Sequence, residues 1–85
     1  MISVGDMICH LEQRRPETNR QRFYAVAVEQ DLFGDWLVLR RWGRIGTRGR
    51  GLVEAFAGEV EAEEAARRLI RAKTRRGFDL VGQGA

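Results

Sequence analysis

The sequence predicts an α+β fold: a small antiparallel β-sheet of four to five strands with one C-terminal α-helix packed on one face. Three observations predict it. Apolar and polar residues alternate with period two in short runs between residues 7 and 57, the pattern of half-buried strands. The runs are separated by short polar or glycine-bearing links, which favour antiparallel neighbours. After Gly58 the period lengthens to three and four over residues 59–76, the spacing of an amphipathic helix.

The elements follow in order. Residues 7–13 (MICHLEQ) put Met7, Cys9 and Leu11 on one face of a first strand and Ile8, His10 and Glu12 on the other. Residues 14–21 hold the only proline and read as a loop. Residues 22–30 (RFYAVAVEQ) are aromatic and β-branched with period two, a second strand. Residues 31–35 (DLFGD) form a turn in which Gly34 can take a positive φ. Residues 36–42 (WLVLRRW) are a third strand and residues 52–57 a shorter fourth. Alternation along the third strand sets Trp36, Val38, Arg40 and Trp42 against Leu37, Leu39 and Arg41. Leu37 and Leu39 are expected in the core, with Trp42 and Arg40 on the opposite surface or at its rim.

In the helix, Ala62, Ala65, Ala66, Leu69, Ile70 and Lys73 form one stripe. Glutamates 59, 61, 63 and 64 crowd its start, and Arg71, Lys73, Arg75 and Arg76 its end, which suits the helix dipole. Gly77 is placed to terminate it. Residues 78–81 can add a last strand. One domain is expected over residues 1–85, with its core over about 7–81 and residues 82–85 frayed.

Composition narrows the function classes. The chain has 85 residues, 44% hydrophobic and 32% charged, as an ordinary folded domain does. A domain this small buries only about 60% of its unfolded surface, which leaves little room for a deep catalytic pocket. The lone Cys9 and lone His10 are sequence neighbours. On a strand they point to opposite faces, so they form neither a nucleophile–base pair nor a metal centre. Cys9 reads as a buried small apolar residue and His10 as exposed. No enzyme, catalytic residue, metal or cofactor is expected. Residues 1–11 lack a basic, then long apolar, signal pattern, and no run approaches a membrane span of about 20 residues; a soluble, cytoplasmic location is the expectation.

The formal charge is +3, but it is uneven. Residues 1–39 carry four basic and six acidic groups (−2), residues 40–58 five and one (+4), and residues 59–85 six and five (+1). Arginine supplies fourteen of the fifteen basic residues, as GC-rich coding also would, so the clustering weighs more than the count. The focus is RRWGRIGTRGR, residues 40–50, with five arginines, one tryptophan and three glycines. It lacks the order of a dinucleotide fingerprint or a P-loop, and a strand rather than a helix follows it. It is too short for a disordered arginine–glycine tail. A structured basic edge fits better, with Trp42 stacking on a base or sugar while arginines pair with phosphates. The competing reading has Trp42 cap the core while the arginines solubilise the hairpin; strand periodicity alone leaves both open.

These residues resemble the WGR domain family. Trp42-Gly43-Arg44 is the signature tripeptide, with Ile45, Gly46 and Gly49 in place after it. Residues 22–24 (RFY), 31–36 (DLFGDW) and 65–78 (AARRLIRAKTRRGF) resemble the family's upstream strand, turn and helix, so the likeness covers about residues 11–81. Arg41 and Arg50 depart from the acid and the glutamine common at those positions in relatives, and make the edge more basic. The resemblance implies an antiparallel sheet with one helix. In poly(ADP-ribose) polymerases a similar domain helps grip DNA at strand breaks and signals to neighbouring domains, and by motif position those contacts fall on Trp42 and Arg44. No polymerase catalytic domain is present in these residues. The expected nucleic-acid-binding set is Arg40, Trp42, Gly43, Arg44, Arg48 and Arg50. DNA ends, nicks or single-stranded segments are the expected partners, with RNA as a variant. The alternative is an acidic protein docked on the same edge.

Overall fold

The computed structural model describes residues 7–84. Residues 1–6, part of the stretch read for a targeting signal, and Ala85 lie outside them. The chain runs β1 (Met7–Arg15), a 3₁₀ turn (Pro16–Thr18), β2 (Arg20–Gln30), β3 (Trp36–Arg44), β4 (Arg50–Phe56), α1 (Glu59–Arg75) and β5 (Asp79–Gly84). The five strands form one antiparallel sheet in the order β4-β3-β2-β1-β5. The expected α+β class is therefore the observed one. Strands β1 to β4 form a meander, and α1 carries the chain back across the sheet so that β5 closes on the free side of β1.

Register decides which residues meet α1. Val26 pairs with Cys9 and Arg40, Val28 with Val38, and Tyr24 with Leu11 and Trp42. Paired residues of an antiparallel ladder point the same way, so these side chains share the face under the helix. There Cys9, Leu11, Tyr24, Val26, Val28 and Val38 meet Ala62, Ala65, Ala66 and Phe78. Trp36, Trp42, Phe56, Leu69 and Ile70 pack half-buried around them. Cys9 is buried, and burial pushes its thiol pKa up. His10 is exposed on the other face.

The face assignment of β3 is a correction. Trp36, Val38, Arg40 and Trp42 lie on the covered face, with Val38 buried and Leu37 and Leu39 only half-buried on the open one. Both sets of alternating residues contain large apolar side chains, so periodicity could not choose between them. Pairing with Tyr24, Val26 and Val28 does, because a strand presents all its odd or all its even residues to one side.

Two ends also differ from expectation. β2 begins at Arg20, so the 14–21 loop shrinks to the 3₁₀ turn and Asn19, whose φ is 55°. Residues 82–84, expected to fray, are part of β5: Gly82 pairs with His10 and Gly84 with Ile8 beyond an irregularity at His10/Leu11. The open edge of β1 supplies this segment with hydrogen bonds that a free tail would lack. The helix ends as expected, with Gly77 at φ 94° and the Gly77 and Phe78 amides bonded back to Thr74 and Lys73.

The β2–β3 turn is tightly pinned. The Asp31 carboxylate accepts from the Phe33 and Asp35 amides, both at 2.9 Å, and Gln30 Nε2 donates to the Gly34 carbonyl. This turn holds Leu32 and Phe33 fully in solvent. Among the described residues no helix is long and apolar enough to cross a membrane.

Candidate nucleic-acid interface

The RRWGRIGTRGR stretch is the end of β3, a five-residue loop and the start of β4. Its glycines make the hairpin possible. Gly49 has φ 69°, and a Cβ there would run into the Trp42 carbonyl and the Phe23 ring. A Cβ on Gly43 would sit 2.7 Å from Gly49 Cα. Backbone therefore lies on backbone at this crossing, which only glycine allows. The loop is anchored to β2 by the Ile45 amide, which donates to the Gln21 carbonyl at 2.9 Å. Thr47 closes it with its hydroxyl on the Arg44 carbonyl at 2.7 Å, and Arg41 Nη1 donates to the Arg48 carbonyl at 3.2 Å.

At the covered end of this hairpin the sheet and α1 form a cleft of about 590 Å³. Phe23, Tyr24, Trp42 and Phe78 are its aromatic residues, and Arg20, Arg22, Arg44, Lys73 and Arg76 its cations. Gln13, Thr18, Asn19 and Gln21 add polar groups, and no acidic side chain lines it among the described residues. The Tyr24 and Trp42 rings lie 6.4 Å apart with planes inclined at 30°. Lys73 Nζ sits 4.8 Å from the Tyr24 ring and 5.6 Å from the Phe78 ring, and the Arg40 guanidinium 5.8 Å from Trp42. Gln13 is buried and ties β1 to the helix end by donating to the Arg76 carbonyl at 2.8 Å. Arg44 Nη2 donates to the uncharged Asn19 Oδ1 at 3.4 Å, a long contact that leaves the guanidinium charge unneutralised.

Among the described residues none of these cations has an ion-pair partner. Among the described residues the ion pairs are Arg14–Glu12 and Arg67–Glu63, both away from the cleft. Lys73 is held below the ordinary lysine range, chiefly because it is partly removed from water, and further because Arg76, Arg22 and Arg40 repel its charge. The Tyr24 hydroxyl is buried without a hydrogen-bond partner among the described residues. An anion entering here would relieve the repulsion on Lys73 and meet several donors at once.

The six residues expected from the sequence do not all meet here. Trp42, Gly43 and Arg44 line the cleft, and Arg40 stands over Trp42. Arg48 lies in the loop beside a second cleft of about 370 Å³ that also involves Arg41, Ile45 and Phe23. Arg50 is exposed on β4, paired in register with Trp42. Trp42 itself is half-buried and packs on the core. It therefore both shields the core margin and contributes to the cleft wall, so the two readings of this residue are not exclusive. The sequence set missed Arg20, Arg22, Tyr24, Lys73 and Arg76. Lys73, the one cation in the apolar helical stripe, was the available signal; the others become neighbours only through β2–β3 register and the helix crossing.

The fold and cleft define a class of protein: a small α+β module with an unneutralised cationic, aromatic-walled site between sheet and helix end. The chain belongs to the WGR domain family, whose profile matches residues 7–85. It is 42% identical over 69 residues to the uncharacterized protein y4dW of Sinorhizobium fredii, covering 81% of this chain and 34% of that protein. It is 30% identical over 70 residues to the human protein mono-ADP-ribosyltransferase PARP3, covering 82% of this chain and 13% of PARP3. The identity to poly [ADP-ribose] polymerase 2 of Zea mays is 40% over 53 residues, covering 59% of this chain and 8% of that enzyme. Thus the chain spans about a third or less of the length of these relatives. A crystal structure of a Bacteroides fragilis protein superimposes with a TM-score of 0.75 at 27% identity, over 88% of this chain and 19% of that one.

Proposed function

We propose that this WGR domain is a non-catalytic nucleic-acid-binding module that takes DNA ends, nicks or single-stranded segments at the Trp42 edge. The observation that supports it most directly is the cleft: five cations and four aromatic rings converge there with no acidic side chain among the described lining residues. Charge that serves solubility alone is best interspersed in sign. Here Arg76, Arg22 and Arg40 repel the Lys73 charge, and Arg20 and Arg44 add two more cations to the same cleft. Phosphates suit guanidinium groups, and the exposed part of Trp42 suits a base or sugar at a strand terminus or a gap, where stacking is interrupted. Arg40 braces the indole, while Arg48 and Arg50 extend the positive field along the hairpin.

Titration of the domain against blunt, nicked and single-stranded DNA, and against single-stranded RNA, at several salt concentrations tests this reading. Binding should weaken with salt at a log–log slope of about −0.9 per duplex phosphate neutralised. Arg44→Ala should reduce that slope by about one. Trp42→Ala, with its fold verified by circular dichroism, should cost about 1–3 kcal/mol with little change of slope. Folded Trp42→Ala and Arg44→Ala variants that bind every oligonucleotide as the parent does would overturn the proposal, and an acidic protein would then be the better partner for this edge.

A further inference from the structure

The sheet has two edges, and they are built differently. β5 meets β1 with a break in register at His10/Leu11. β4 pairs with β3 over seven consecutive residues without interruption, and among the described residues no strand neighbours its outer side. It contains no proline, lysine or bulge; the charges that could discourage pairing are one of each sign, Arg50 and Glu54, and repel a second strand only where like faces like. Residues 50–55 are all exposed, including Leu52 and Val53 at 46% and 56%.

The order of side chains on this edge is self-complementary. Arg50, Leu52 and Glu54 pair with Trp42, Arg40 and Val38, so all three lie on the α1 side of the sheet. Set a second copy antiparallel beside β4 with Leu52 opposite Leu52. Arg50 then faces Glu54 of the partner subunit, Glu54 faces Arg50 of the partner subunit, and on the open face Val53 packs over the bare Gly51. A slip of two residues puts Arg50 or Glu54 against Leu52, and a slip of four puts arginine against arginine or glutamate against glutamate. A slip of one sets the even residues of one copy against the odd residues of the other, which turns the second helix to the opposite face and leaves Arg50 and Glu54 facing uncharged residues. Of these alignments, only the Leu52-centred one joins both pairs of opposite charges. Neither Arg50 nor Glu54 has an ion-pair partner within the fold among the described residues.

We infer that β4 is a homodimer interface, in which two copies join edge to edge about a twofold axis at Leu52 into one ten-stranded sheet, locked by two Arg50–Glu54 pairs. Both helices then lie on the same side of the joined sheet, and both Trp42 clefts open on that side. The pairing occupies Arg50 and leaves Trp42, Arg40 and Arg44 as they are.

Sedimentation equilibrium of the whole chain, from micromolar to near-millimolar concentration, reads the outcome directly. The expected species has twice the 9.7 kDa mass of the chain. Glu54→Arg and Arg50→Glu should each shift dissociation to at least tenfold higher concentration, and the double exchange Arg50→Glu/Glu54→Arg should restore the dimer. If a charge variant fails to fold, Leu52→Cys decides. Mild oxidation should cross-link it to a covalent dimer, whereas Glu64→Cys on exposed α1 should remain uncross-linked at the same dilution. A monomer at every concentration overturns the inference, as does a dimer insensitive to all these changes or a double exchange that folds without reassociating.

Discussion

Gly49 and Lys73 show how much of this domain rests on individual residues, one by lacking a side chain and one by holding a partly buried charge among aromatic rings and arginines. Gly49→Ala forces a Cβ into the Trp42 carbonyl at a φ of 69° and should destabilise the fold by about 1–3 kcal/mol. Gly46 has a similar φ of 94° but open space around it, so Gly46→Ala should cost less, about 1–2 kcal/mol from backbone strain alone. Thermal melts that reverse this order would contradict the close hairpin crossing. For Lys73 the prediction is in the pH dependence. Its pKa in the fold lies below the ordinary lysine value of 10.5. Between the depressed and the ordinary value the unfolded chain binds more protons than the folded one, so stability contributed at this site rises with pH across that window. The stability difference between the parent and Lys73→Met should therefore shift in favour of the parent as pH climbs toward 10.5. A difference flat with pH in denaturant titrations would mean that Lys73 is not crowded.

Among the elements, α1 is the one that covers the buried face of the sheet. It meets the sheet through alanines: Ala62 and Ala66 have no exposed surface, and Ala65 has 8%. Small residues let the helix axis approach the strands closely, and no space remains for a larger side chain. Ala66→Leu should thus destabilise by about 1–3 kcal/mol although it adds apolar area. Leu69 and Ile70 pack at the margin and are half-buried, so their joint truncation to alanine should cost about 2–4 kcal/mol rather than the full price of two core leucines. Unchanged melting of that double variant would mean the helix does not depend on this flank. The helix stripe was readable in full from its spacing, because a 3.6-residue period selects one face uniquely once five apolar positions agree. The strand faces were not equally readable. In β3, Trp36, Val38 and Trp42 alternate with Leu37 and Leu39, and a two-residue period gives no preference when both faces hold large apolar residues.

Over the whole molecule, which is elongated at 45 × 23 × 22 Å, charge is segregated. The Trp42 end of the β2–β3 hairpin carries Arg20, Arg22 and Arg44, and the opposite turn carries Glu29, Asp31 and Asp35. A charged polymer should therefore orient the domain before contact, and association rates with DNA should fall steeply with ionic strength while rates of dissociation change less. Stopped-flow rates insensitive to salt would count against the segregated field. The fold itself should not depend on a metal: the described residues hold no group of three or more metal-ligating side chains. Excess chelator should leave the melting temperature where it was, and a chelator-induced loss of structure would refute this.

The order of elements, the helix stripe, the terminating Gly77 and the placement of the Trp42-Gly43-Arg44 motif at a basic hairpin were determined by sequence alone. Each depends on local rules of periodicity, φ and residue order that operate within a few positions along the chain. Tertiary structure decided which face of β3 is buried, that residues 82–84 join the sheet, and that Lys73 and Arg76 stand beside Arg22 and Arg44. Those outcomes follow from strand register and helix crossing, which bring residues some fifty positions apart into contact; no local pattern encodes them, because either face and either edge satisfies the same alternation.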